Sequence, residues 1–143
     1  MMLTRMIGVL FVLLFAATAG YGEETARPDL DVSISIQAPA SNYAIRITGV
    51  YHVGNEIWAV SQVRQVGDFG ASVITTLTDS ARIADENVPK GPNDANLAIK
   101  HKVLGKTWNW GKNTADVEYV TKKGEAQLQA TLGKVKKLPI KGR

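Results

Sequence analysis

From Asp31 to Gln37 the chain alternates without a break, setting Val32, Ile34 and Ile36 against Asp31, Ser33 and Ser35. A period of two places the three aliphatic side chains on one face of an extended strand and the polar ones on the other. Pro39 ends the run. Tyr43 to Val53 takes it up again, with Ile45, Ile47, Tyr51 and Val53 on one face and Arg46, Thr48 and His52 on the other. Gly54-Asn55 then leads straight into a second β-rich stretch, Glu56 to Val66, which predicts a hairpin with a two-residue turn.

The same reading continues along the chain. Gly67-Asp68-Phe69-Gly70 is a turn, and Ser72 to Thr78 is a strand that Ala81 to Ala84 extends past a bulge at Asp79-Ser80. Asp85 to Ala95 has no periodicity and holds Pro89, Gly91 and Pro92, so it reads as the longest loop. Leu97, Ile99, His101 and Val103 alternate with Ala98, Lys100 and Lys102 in the next strand. After a Gly- and Asn-rich loop from Trp108 to Asn113, a strand carries Val117, Tyr119 and Thr121, and a last one carries Leu128, Ala130 and Leu132. A short helix over Ala126 to Leu132 is the alternative there, since Ala, Gln and Leu favour it.

Seven or eight short strands separated by turn signals predict an all-β fold, an antiparallel immunoglobulin-like β-sandwich, with a small β-barrel as the alternative. Trp58 is the expected central core aromatic. The chain has no cysteine, so the sandwich must be held by packing and not by the disulfide of antibody domains. Ahead of the strands, one Arg5 precedes an apolar run from Ile7 to Ala17 and the small-residue sequence Ala17-Thr18-Ala19. That run is too short to span a bilayer core of roughly 30 Å and reads as a cleavable signal peptide over residues 1–19, with Gly22 as the alternative cleavage point. A leader over 20–30 and one domain over 31–143 follow, and the expected location is periplasmic or extracellular, with no lipidation cysteine and no stable membrane anchor.

Catalytic raw material is thin. The only histidines are His52 and His101, no G-x-S-x-G elbow occurs, and a triad would need Ser61, Ser72 or Ser80 to meet a histidine by folding alone. Zinc lacks thiolates, and the oxygen ligands Asp85, Glu86, Asn87, Asn93, Asp94 and Asn96 do not have the spacing of a calcium loop. No enzyme, cofactor or metal is expected. Charge is polarised, with a net of −5 from Gly20 to Ile99 and +8 from Lys100 to Arg143. Lys100, Lys102, Lys122 and Lys123 read as outward guards of exposed strand edges, which argues against nucleic acid as the partner.

The candidate binding site is the loop holding Lys106, Trp108, Asn109, Trp110, Lys112 and Asn113. Two indoles one residue apart on a strand would share a face about 7 Å apart; large aromatics among Asn, Gly and Lys suit a contact surface, the alternative being that both indoles close the bottom of the sandwich. A secreted recognition domain that binds a protein partner through loops at one end of the sandwich is the expected function. Its most specific form is an inhibitor of a peptidase or other hydrolase, although the N-P-T-T-G and G-x-G-G loops of chagasin-type inhibitors are missing. A carbohydrate-binding module built on Trp108 and Trp110 is one alternative, and an assembly subunit pairing through edge strands is another.

Overall fold

The computed structural model describes residues 28–105 and 116–143. Strands β1 (Leu30–Ala38), β2 (Tyr43–Val53), β3 (Glu56–Gln65) and β4 (Thr75–Ile83) come first, followed by two 3-10 turns at Asp85–Asn87 and Pro92–Asp94. Strands β5 (Ala98–Gly105) and β6 (Val117–Tyr119), helix α1 (Lys122–Leu132) and strand β7 (Lys136–Leu138) complete the order. They make two sheets: β1 with β4, and a five-stranded sheet in the order β6-β5-β3-β2-β7.

The protein is mostly β, as the alternation predicts, but the pairing is not all antiparallel. Strands β3 and β5 run parallel, as do β5 and β6. This corrects the antiparallel expectation: β4 leaves for the smaller sheet between them, so β5 enters beside β3 with the same direction. The last predicted strand is also corrected. Leu128 and Leu132 are four apart and fit a helical face as well as an alternating one; Thr121 caps the helix by accepting the Gly124 N–H at 3.3 Å. A third correction concerns β4, which runs unbroken from Thr75 to Ile83 opposite β1 with no bulge at Asp79-Ser80.

One core lies between the sheets, built from Val32, Ile34 and Ile36 of β1, Leu77 and Ile83 of β4, and Ile45, Ile47, Ile57 and Val63 of the larger sheet. A smaller one lies on the far face of the larger sheet, where Leu128 and Leu132 pack on Val60, Leu104 and Val120 with Tyr51 and Trp58 at the side. Trp58 is therefore not the central core aromatic. It is half-buried under the helix side, with the Lys102 ammonium 4.3 Å from its ring centroid. Lys100 and Lys102 are not edge guards either, since β5 is an inner strand and the two lysines pair with Asp116 and Glu118. Lys122 and Lys123 begin the helix.

A register shift between Ile47 and Gly49 explains how β2 serves both cores. The extra residue, Thr48, donates its hydroxyl to the Val60 carbonyl at 3.1 Å, and Val50 then faces the first core while Tyr51 faces the second. Next to this bulge the two sheets are tied by polar groups. Asp79 of β4 accepts the Ile47 N–H at 2.7 Å, and Arg143 donates to the Ile47 carbonyl at 2.8 Å, to the Ser80 carbonyl at 3.1 Å and to the Asp79 carboxylate at 3.3 Å. Lys141 adds a second tie through its N–H to the Arg82 carbonyl and its ammonium to Asp29 at 2.8 Å.

Candidate functional site

One end of the molecule carries the connection from β3 to β4, residues 66–74, beside the shorter connection from β1 to β2. The two are sewn together. The Ser41 N–H donates to the Ala71 carbonyl at 3.0 Å while the Ala71 N–H donates back to the Ser41 hydroxyl at 2.8 Å. Asn42 accepts the Val66 N–H on its carbonyl and donates its side-chain amide to the Gly67 carbonyl, both at 2.9 Å, and the Gln65 amide donates to that same carbonyl. Gly70 makes the closeness possible, because a Cβ there would fall 2.5 Å from the Asn42 amide oxygen.

A loop so held by its backbone would ordinarily turn its apolar side chains inward. This one does the reverse. Phe69 is 94% exposed and Ile74 71%, and Val66 and Val73 are each more than half exposed. Among the described residues these four are the exposed large hydrophobics, and all lie in this one connection. Isolated apolar residues on a surface need no explanation, whereas several gathered in one ordered segment mark a place that another surface covers. In sequence only Gly67 to Gly70 read as a turn, with Val66 placed in the preceding strand and Ser72 to Ile74 in the next; the structure corrects this by ending β3 at Gln65 and starting β4 at Thr75. The overlooked signal is an aromatic enclosed by Gly67, Asp68 and Gly70 with no alternating partner.

The site read from sequence, with Lys106, Trp108, Asn109, Trp110, Lys112 and Asn113, lies wholly outside the described residues. Its two borders are described: Gly105 closes β5 with φ +92°, and the Asp116 carbonyl accepts the His101 N–H at 2.7 Å. Residues 1–19, read from sequence as a signal peptide, also lie outside the described residues.

Of the nucleophile and base candidates, Ser72 and Ser80 are exposed and His52 is half-buried, whereas Ser61 and His101 face protein. Ser61 is fully buried and His101 nearly so, on adjacent strands with Ala59 opposite His101 and Ser61 opposite Val103. Among the described residues the Ser61 hydroxyl and the His101 Nδ1 each find no hydrogen-bond partner, so the two are not bonded to one another as nucleophile and base. Burial pushes the His101 pKa below its ordinary 6.5, only partly opposed by the charge of Asp116. A depressed histidine supplies stability in full above about pH 6.5, and that contribution is lost as pH falls towards the folded-state value, because the unfolded chain takes the proton first. His101→Leu is therefore expected to flatten the decline in melting temperature between about pH 7 and 5. An equal decline in both proteins would refute this role for His101.

No match to this chain was found among known protein families, curated proteins or solved structures.

Proposed function

We propose that the protein is an exported, non-catalytic recognition domain that grips a protein partner with the 66–74 connection, using Phe69 as its anchor. The observation that carries this reading is the 94% exposure of Phe69 on a loop already fixed by the Ser41, Asn42 and Gln65 hydrogen bonds. Binding to a surface that is ordered beforehand avoids the entropy of ordering it on contact, so a single buried aromatic can dominate affinity. A projecting aromatic on a fixed loop suits insertion into a cleft, which is the geometry of a hydrolase inhibitor. Among the described residues no helix is long and apolar enough to cross a membrane.

The test is retrieval of a partner from extracts of the protein's own source with wild type and Phe69→Ser. The variant is expected to lose about 2 kcal/mol of binding, roughly thirtyfold in affinity. Its melting temperature should not move, since an exposed side chain contributes little to folding. A variant that recovers the same partner in the same amount, or one that melts several degrees lower, would remove Phe69 from this role.

A further inference from the structure

A different surface of the molecule holds a groove lined by basic residues. The groove, of about 690 Å³, opens between the polar half of the β2–β3 pair and the 137–143 segment, within the size range of small-molecule sites. Arg46, Arg64, Lys137 and Arg143 line it together with Thr48 and Gln62, and Pro139 and Ile140 give it apolar surface, while the Leu138 side chain beside them is buried in the core. Among the described residues no acidic side chain belongs to that lining.

The placement of the arginines is the informative part. Of the four in the described residues, Arg82 holds Asp31 at 2.9 Å and Arg143 holds Asp79 at 3.3 Å. The two that hold no carboxylate among the described residues, Arg46 and Arg64, are diagonal neighbours on the same exposed face, because Arg46 stands opposite Gln62 and Arg64 opposite Ala44. Like charges side by side on a sheet destabilise it, and nothing in the described fold offsets them here. Lys137, whose ammonium lies 6.0 Å from the Tyr51 ring, adds a third positive charge. With Arg143 held by Asp79, Arg46, Arg64 and Lys137 are the cationic side chains of the groove that hold no acidic side chain among the described residues, more than one carboxylate would satisfy. Guanidinium forks match the paired oxygens of a phosphate.

We propose that this groove binds a phosphate-bearing ligand, with the dianionic phosphate between Arg46 and Arg64 and the remainder of the ligand along Pro139 and Ile140. The phosphate has two possible sources, a soluble ester or a phospholipid headgroup, and the two arms of the test separate them. Inorganic pyrophosphate is titrated calorimetrically into the intact protein at constant ionic strength, and in parallel the protein is sedimented with phosphatidylglycerol or phosphatidylcholine vesicles. Saturable pyrophosphate binding is expected, weakened by about tenfold or more in Arg46→Gln/Arg64→Gln. Lys122→Gln/Lys123→Gln, with the same loss of charge on the helix, should bind as wild type does.

Sedimentation with phosphatidylglycerol that disappears in the arginine variant identifies the headgroup source, and pyrophosphate binding without it identifies a soluble ester. Absence of saturable binding to both probes overturns the proposal. So does equal weakening by the lysine variant, or an arginine variant that binds as wild type. Both arginines are exposed, so the variant should keep the wild-type melting temperature. Phe69→Ser should bind pyrophosphate normally, which keeps this result independent of the loop's role.

Discussion

Replacing Gly105 with Ala is expected to destabilise the protein by about 3 kcal/mol, read as a lower denaturant midpoint with an unchanged slope. Two effects add. At φ +92° an L side chain is strained by about 1–2 kcal/mol. The new Cβ would also stand 2.2 Å from the Val63 carbonyl oxygen and 2.7 Å from the Gln62 amide nitrogen. The Gln62 side chain can swing aside, but the Val63 carbonyl is main chain in the middle of the larger sheet, so the β3–β5 pairing must open; overpacking of this kind costs about 1–3 kcal/mol. A Gly105→Ala variant within about 0.5 kcal/mol of wild type would mean that the end of β5 is not held against β3 as described.

Asp79→Ala is expected to destabilise by about 2–3 kcal/mol, since it leaves the buried Ile47 N–H without an acceptor and Arg143 without a counter-charge. Asp79 stands opposite Ile34, between the apolar Leu77 and Ala81 on the core-facing side of β4, so no neighbouring side chain of that face replaces it as acceptor. Burial raises its pKa, but the Ile47 and Ser80 N–H groups and the Arg143 charge outweigh that and hold it below the ordinary 3.8. A depressed carboxylate contributes fully above about pH 3.8, and that contribution is lost as pH falls through the lower folded-state value. Chemical denaturation from pH 7 to about pH 2 should therefore show a steeper acid loss in wild type than in the Ala variant. Asp79→Asn, which keeps one acceptor for Ile47, should fall between them. Parallel acid curves for wild type and Asp79→Ala would exclude the carboxylate as the tie between the sheets.

What the sequence makes legible is what neighbouring residues decide. Strand β1, the hairpin at Gly54-Asn55 and the alternation of β5 each follow from side chains a few positions apart, and Gly54 takes the positive φ, +56°, that such a turn needs. The parallel seating of β5 has no local signature, because alternation is the same whichever way a neighbour runs. The bulge at Thr48 is equally silent in a pattern that looks regular from Ile45 to Val53, yet it sends Tyr51 to the helix side. Leu128 and Leu132 fit two periods at once, and packing on Val60 and Leu104 decides between them. At the candidate site, the glycines and Asp68 disclose a turn around Phe69. The hydrogen bonds from Ser41 and Asn42 that hold it open come from another part of the chain.

The parallel seating of β5 beside β3 also dictates an order of assembly. The β2–β3 hairpin needs only adjacent chain and can form within microseconds. Docking β5 against β3 closes a much longer stretch of chain, the one that carries β4, and such distant closures are slower. During that interval β3 presents a bare edge, with Ile57, Ala59 and Val63 of the future core uncovered beside it. A bare apolar edge is a template for a second copy of the same chain. The newly made protein is thus most exposed to misassociation before β5 arrives, and changes that delay β5, even ones harmless to the finished fold, should show themselves as lower soluble yield.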